Sequence, residues 1–511
     1  MPGLESGKPL VLDADGTLLR TDMLLEGIWK GFGMDPAATL KAFTLVGDRA
    51  TFKAEIARIA PLRVDLLPVN ADIVAMAIDA KVAGREVAIA SASDVSLVQP
   101  LADYHGIKRV FASQNGVNLK GTAKADALVA AYGEQGFDYA GNDKSDRKIW
   151  DHSDGAIVVG NAGGGARGLS NVTQVAGGWA PRAVMKSMRP HQWVKNVLLF
   201  LPMIAAHAFF FDTFLAVCLG IVSFSAAASC IYIVNDLLDI EADRLHVKKC
   251  RRPFAAGTVP IPIGMLTCAG LGVIALGVAA ILSWQMFGVV AIYMALSLAY
   301  SLRLKRMRWI DIAVLASLYT LRVVAGAAAS GVDASIFMLI FIFPVFISLG
   351  CVKRMTELAL AQDDEPLPGR GYARRDLGDL LNMSVIGMVG ALLIFFLYSY
   401  SDQALALYPD QWLMWLALLP VAAWLYRMVR LGYMGRMDYD PIVFAMSDIR
   451  GIGYLLITLS LLFYAAGLWG VWFARLVWLI RLRQASRGRC PRSANSPGIF
   501  TRQRQIEVTL P

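Results

Sequence analysis

Charged residues are scarce in this 511-residue chain: Asp, Glu, Lys and Arg make up 17%, against about a quarter in ordinary soluble domains. With 56% hydrophobic residues, that shortage excludes a disordered chain and a coiled coil. Cysteine is also sparse. Cys218, Cys230, Cys250, Cys268, Cys351 and Cys490 form no CxxC pair and none lies in the first third of the chain. Neither a secreted disulfide scaffold nor a zinc site is expected. The N-terminal MPGLESGKPLVLDADG lacks an apolar core and a cleavage site, so no signal peptide is expected.

What is present divides the chain in two. Residues 1–185 have the composition of a water-soluble domain, and apolar stretches of membrane length crowd 190–482. In the first part, apolar runs at 9–12, 86–90, 109–111, 137–140 and 156–159 read as buried strands. Helical stretches such as 72–83 and 124–132 separate them. Strand–helix alternation with fully apolar strands predicts a parallel sheet covered on both faces. Residues 24–67 have helical periodicity and read as a small helical insertion. The Gly-, Asn- and Ser-rich stretch 160–180 reads as the exit from the domain. Its GNAGGG run lacks the spacing and the helix of a dinucleotide loop.

Nine apolar stretches follow, at 196–211, 213–234, 262–283, 286–303, 310–329, 335–352, 382–401, 411–429 and 452–474. HAFFFDT, LSWQMFG, SGVDASI and SYSDQALALYPDQW connect them on one side and contain no Lys or Arg. The opposite connections, among them KSMRPHQWVKN, DRLHVKKCRRP, RLKRMR and RMVRLGYMGRMD, are basic. The positive-inside rule places the basic loops and the N-terminal domain in the cytoplasm, with a multi-pass chain in the membrane. The net charge of +9 therefore reports topology and phosphate-bearing ligands, not nucleic acid. Nine spans leave the C-terminus outside, where the basic tail 483–511 has no functional reading.

The first strand ends in Asp13-Ala14-Asp15-Gly16-Thr17-Leu18. In DxDGT the first carboxylate can attack phosphorus, and the second can protonate the leaving oxygen and then activate water. Gly16 and Thr17 allow the tight turn that brings both to one phosphate. Over about residues 8–160 the chain resembles the haloacid dehalogenase-like phosphohydrolases, which implies an α/β Rossmannoid domain with a helical cap at about 22–80. The resemblance implies that Ser91 in VAIASASD hydrogen-bonds the phosphate. It gives the neutralising lysine as Lys124, with Lys120 the second candidate. Mg²⁺ would be held by Asp13, Asp15 and an acidic pair that here reads Asn142-Asp143-Lys144-Ser145-Asp146. Asp146 matches the second acid, Asn142 stands where the family has Asp, and Asp143 is the candidate to compensate. Domain boundaries are expected at 1–180 for this unit and 185–480 for the membrane unit.

The second expected span runs into Asn235-Asp236-Leu237-Leu238-Asp239-Ile240-Glu241-Ala242-Asp243-Arg244. Asp236, Asp239 and Asp243 follow i, i+3, i+7 and would share one face of a helix. Three carboxylates on one stripe repel unless a cation joins them, and Mg²⁺ bridging to a diphosphate resolves this. The NDxxDxxxD pattern at a span end resembles the UbiA-like intramembrane prenyltransferases, over about 185–475. The resemblance implies an all-α helical bundle with a central cavity under cytoplasmic loops.

Aromatic prenyltransferases of that family carry a second DxxxD motif after the sixth span. Here the loop opens Lys353-Arg354-Met355-Thr356-Glu357, and Asp376 and Asp379 have the wrong spacing. Lys195 in RPHQWVKN and Lys305 after Tyr300 lie on the same side. Arg322 lies within a span, eleven residues after Asp311, where a charge is costly and normally faces a cavity. These segments resemble the decaprenyl-phosphate phosphoribosyltransferase branch. That implies phosphoribosyl pyrophosphate as donor, a polyprenyl phosphate as acceptor, and polyprenyl-phosphoryl 5-phosphoribose as product. Asp236, Asp239 and Asp243 would bind Mg²⁺ and pyrophosphate, supported by Asn235. Lys195, Lys305, Arg322, Lys353 and Arg354 would share the two phosphates, with Tyr300, Asp311 and Glu357 lining the site. The fused phosphatase domain would remove the 5-phosphate. The route leads to lipid-linked arabinofuranose for envelope arabinan or an arabinosylated glycolipid such as a nodulation factor, and implies downstream epimerase and glycosyltransferase partners. The alternatives are an aromatic or quinone-precursor prenyltransferase and, from another class, a membrane-anchored phosphatase.

Overall fold

The computed structural model describes residues 7–114, 116–360, 370–437, 440–470 and 473. The tail 483–511, with Cys490, lies outside the described residues. The N-terminal unit is built on six strands: β1 (Leu10–Leu12), β2 (Val87–Asp94), β3 (Arg109–Ser113), β4 (Asp138–Gly141), β5 (Ala156–Val159) and β6 (Val172–Val175). All pairs are parallel, in the order β3-β2-β1-β4-β5-β6. The order reverses between β1 and β4, and ligands bind beyond the strand ends at such a switch point. Leu10, Val11 and Leu12 are fully buried between layers, as their unbroken apolar run requires.

The sixth strand lies within 160–180, which the glycine content assigned to a domain exit. Val172–Val175 instead pair in register with Ala156–Val159. Its burial alternates with only Val175 inside, so an edge strand carrying Thr and Gln gave no continuous apolar run.

Helices α1 (Met23–Met34), α2 (Pro36–Ala42) and α3 (Arg49–Ile59) form the insertion after β1. Asp22, Asp35 and Asp48 each cap one of them by accepting amide hydrogen bonds. The sheet is covered by α4 (Ala71–Val82), α5 (Val95–Tyr104), α6 (Thr122–Tyr132) and α7 (Arg147–Trp150), and α8 (Pro181–Ser187) leads out of the domain.

A helical bundle follows: α9 (Leu201–Ala205), α10 (Phe211–Leu238), α11 (Ile240–Leu245), α12 (Ile261–Leu282), α13 (Trp284–Leu302), α14 (Ile310–Ser330), α15 (Ile336–Ala359), α16 (Leu377–Tyr398), α17 (Asp402–Leu407), α18 (Gln411–Tyr433), α19 (Pro441–Ala445) and α20 (Ile449–Ala465). Among the described residues seven helices, α10, α12–α16 and α18, are long and apolar enough to cross a membrane, so the chain is a multi-pass membrane protein.

The structure thus gives seven such helices where hydropathy predicts nine spans. Of the ninth stretch, 452–474, the residues up to 465 belong to α20, of 17 residues, and 471, 472 and 474 lie outside the described residues. The first is an 11-residue 3₁₀ helix, Pro190–Phe200, continued by the five residues of α9. A 3₁₀ helix rises about 2.0 Å per residue and an α-helix 1.5 Å, so the two together reach roughly 30 Å, about the thickness of the hydrocarbon core. The 3₁₀ segment packs tightly on α14: a Cβ at Gly326 would stand 2.1 Å from the Leu199 carbonyl oxygen. Three residues per turn turn Lys195, Asn196 and Leu199 inward, which leaves this segment less apolar than a free-standing span.

Candidate active sites

At the end of β1 the backbone turns sharply through Gly16, whose φ is +78°. A Cβ there would meet the Asn142 side chain at 2.2 Å, so the loops after β1 and β4 close on each other only at glycine. Asp13 Oδ1 accepts from Lys124 Nζ at 2.7 Å. Lys124 reaches it from α6 and also donates to Ala90 O and Tyr139 Oη. Of the two lysines considered, Lys124 is the one against Asp13. Burial pushes the Asp13 carboxyl up to about 7, against the pull of Lys124. Burial and the neighbouring Asp22 carry Asp15 to about 6. The Lys124 ammonium is lowered by burial but raised more by Asp13 and Asp146, and the net shift is upward.

Asp15 is held from three sides. Met23 N donates to Oδ1 at 2.8 Å, Ser93 Oγ donates to Oδ2 at 2.6 Å, and Ser91 Oγ is 3.5 Å away. Ser93 escaped the sequence reading. It lies two residues after Ser91 on the same face of β2, and period 2 was the available signal.

The acidic pair is laid out differently from the expectation. Asp146 is buried, accepting from Tyr139 Oη and from the amides of Asn142 and Asp143. Asp143 is exposed and its carboxylate caps the turn at Ser145 N. Asn142 faces the Gly16-Thr17 turn, where Thr17 Oγ1 donates to its Oδ1 at 3.2 Å. The oxygens of Asp13 and Asp146 suit Mg²⁺, with one acid fewer than the resemblance implies. Two outcomes are expected. Asn142→Asp places a carboxylate against the turn and should increase the kcat/KM of any phosphate monoester hydrolysis at submillimolar Mg²⁺ by about tenfold or more; a Mg²⁺ titration of monoester hydrolysis checks this. Because Asp13 and Asp15 are protonated below about 6–7, Mg²⁺ should raise the melting temperature more at about pH 8 than at about pH 5.

In the bundle, α10 ends at Leu238, and Asp239 adopts φ −102°, ψ 13° before α11 begins. The three carboxylates thus sit on two helices with a break at the middle one, not on one continuous stripe. Protein cations separate them. Asp236 pairs with Arg189 and, at 3.2 Å, with Arg252. Arg252 also holds Asp243 at 2.6 Å, and Lys305 holds Asp239 at 3.1 Å. Burial raises the Asp243 carboxyl against the pull of Arg252. Asn235 is half-buried, and its carbonyl accepts the Asp239 amide.

Among the described residues no three carboxylate, imidazole or thiol groups converge to hold an ion by themselves. Yet Asp236 is 2% exposed, and its Oδ2 is buried without a hydrogen-bond partner among the described residues. A buried carboxylate oxygen left over beside two further carboxylates fits Mg²⁺, which takes few protein ligands and completes its shell with substrate phosphate and water.

The cations divide into two groups. Arg354 and Asp311, both 0% exposed, form a buried pair 2.5 Å apart, and Arg354 also binds Glu357. Tyr300 Oη donates to Asp311 at 2.9 Å, and Arg370 joins both. Asp311 therefore belongs to Arg354 and Arg370, and Arg354 positions this cluster. In the other group Lys195 pairs with Asp440, with Lys353 3.7 Å from the same carboxylate. Arg322 donates to Asn196 Oδ1 at 3.2 Å and lies over the rings of Phe224, Tyr293 and Tyr319.

Asp440 is a further residue that sequence reasoning missed. It caps α19 just before Pro441, and that N-cap–Pro pair was its one local signal. Burial raises its carboxyl, but Lys195 and Lys353 outweigh this and hold it well below the ordinary range.

The UbiA prenyltransferase family matches residues 197–447. An uncharacterized protein of Sinorhizobium fredii is 32% identical over 457 residues, covering 86% of this chain and 87% of its own. Nodulation protein NoeC of Azorhizobium caulinodans is 32% identical over 268 residues, 52% of this chain and 86% of its own. A decaprenyl-phosphate phosphoribosyltransferase of Mycobacterium tuberculosis is 39% identical over 186 residues, 35% of this chain and 61% of its own.

Proposed function

Because the chain belongs to the UbiA prenyltransferase family, we propose that it moves 5-phosphoribose from phosphoribosyl pyrophosphate to a polyprenyl phosphate, and that its N-terminal domain then removes the 5-phosphate. The observation that carries this reading is the unpartnered Oδ2 of Asp236, beside Asp239 and Asp243 and ringed by Arg189, Arg252 and Lys305. A diphosphate fits a place where carboxylates and cations alternate. The name of the mycobacterial relative supports the choice of donor and acceptor.

Mg²⁺ would be held by Asp236, Asp239 and Asp243, and when bound it neutralises charge on the leaving pyrophosphate. Arg189, Arg252 and Lys305 release their carboxylates in part and turn to phosphate oxygens. Their charge stabilises the leaving group as ribose C1 gains oxocarbenium character. Lys195, Lys353 and Arg322 are the cations for the lipid phosphate and the 5-phosphate. The lipid phosphate is already anionic, so no side chain has to remove a proton from it. On the ribosylated lipid, Asp13 attacks the 5-phosphate monoester, Lys124 steadies both, and Asp15 protonates the departing oxygen and then activates the water that releases inorganic phosphate from Asp13.

The N-terminal domain lies on the side of the basic loops, which supports a location at the cytoplasmic face of a bacterial inner membrane. The product suits a route to lipid-linked arabinofuranose. The likeness to a nodulation protein favours an arabinosylated glycolipid as its end. The reading is tested by pyrophosphate release from purified protein. Release should require both phosphoribosyl pyrophosphate and polyprenyl phosphate, and prenyl diphosphate with 4-hydroxybenzoate should give none. The opposite pattern refutes it.

A further inference from the structure

The cap helix α1 touches both sites. It begins at Met23, whose amide holds Asp15 Oδ1. Its next turns lie against the membrane bundle: Leu25 and Trp29 pack against the core cluster that contains Leu237 and Ile240. One residue further round, Glu26 receives a forked pair from Arg244, at 2.5 and 2.8 Å. The two side chains are 5% and 7% exposed. Thr21 Oγ1 donates to the same carboxylate at 2.5 Å. One turn on, Lys30 pairs with Glu241 at 2.5 Å. Arg244 and Glu241 both belong to α11, the short helix that carries Asp243. Arg244 also donates to Ala255 O at 3.1 Å, tying in the loop that supplies Arg252. That loop continues to Gly257, where a Cβ would stand 2.8 Å from the Arg20 side chain.

A six-residue helix following a break has little stability of its own. The forked, desolvated pair and its neighbour fix α11 from outside the bundle. Nothing in phosphate-ester hydrolysis requires an ion pair to the membrane domain.

We propose that α1 is a positioning element of the transferase: through Glu26 and Lys30 it holds α11, and with it the Asp243 carboxylate, in the place that takes the diphosphate. The two domains are then energetically coupled, because whatever moves α1 at Asp15 also moves α11. The inference rests on the reading of Asp236–Asp243 as a diphosphate site.

The test is calorimetric titration of the detergent-solubilised full chain with inorganic pyrophosphate in the presence of Mg²⁺. This probe is common to every diphosphate donor, so it does not depend on the identity of the sugar. Glu26→Gln should weaken binding about tenfold, and Lys30→Glu about threefold. Lys30→Glu combined with Glu241→Lys should restore wild-type affinity, which a general loss of stability would not do. Glu55→Gln, in the exposed cap pair with Arg58, should change nothing. If Glu26→Gln does not yield folded protein, the more exposed Lys30 pair decides the matter. Binding by wild type that neither variant alters overturns the inference alone. No binding by wild type overturns the diphosphate site and the inference together.

Discussion

Asp236→Asn should lower transferase kcat/KM by about a thousandfold, the scale expected when a preorganised charge at a reacting centre is lost. The substitution keeps the size of the side chain and removes its charge. Three consequences combine. The unpartnered Oδ2 becomes an amide nitrogen or a weaker neutral oxygen and no longer suits a divalent ion. Arg189 and Arg252 lose the carboxylate that spaces them. Arg252 is then drawn wholly to Asp243, which it already holds at 2.6 Å. Hydrolysis of p-nitrophenyl phosphate by the N-terminal domain should survive, because Asp13, Lys124 and Asp146 touch none of these groups. Incorporation of ribose label into lipid measures the effect, and transfer within a few-fold of wild type would refute the role given to Asp236.

The second large effect lies at the other site. Asp13→Asn should abolish monoester hydrolysis, by at least about a thousandfold, since a carboxamide does not attack phosphorus as a carboxylate does. Ribose transfer into lipid should continue, so the lipid should accumulate with its 5-phosphate in place. Lys124 keeps Asp146 nearby, and that carboxylate offsets part of the charge left by Asp13. Phosphatase treatment of the extracted lipid, followed by chromatography, separates the two forms. Dephosphorylated lipid from the variant would show that Asp13 is not the nucleophile of this step.

The parts of this molecule that were legible in the sequence are those with strong local patterns. β1, β2, β4 and β5 are buried apolar runs, and DxDGT marks the end of β1. NDxxDxxxD likewise marks the end of α10. What escaped depends on partners distant in sequence. Asp440 acquires its meaning from Lys195, 245 positions away, and a lone carboxylate before a proline announces only a helix start. Arg252 counted as one more basic loop residue until the fold brought it between Asp236 and Asp243. Arg322 and Asp311 share one helix face, but eleven residues set them about 16 Å apart along it, and they join separate clusters, Asp311 with Arg354 and Arg370 and Arg322 with Asn196. The first membrane segment was misjudged in kind: hydropathy records that residues 196–211 are apolar, not that their N-terminal part winds as a 3₁₀ helix.

One measurement bears most directly on the account. Membranes containing the protein are incubated with polyprenyl phosphate and phosphoribosyl pyrophosphate labelled in the ribose, with Mg²⁺ or with a chelator, and lipid-extractable label is counted. The account predicts label in lipid only with Mg²⁺, largely without its 5-phosphate for wild type and with it for Asp13→Asn. Label that enters lipid equally with chelator, or none from an active preparation that transfers a prenyl group to 4-hydroxybenzoate, would contradict it.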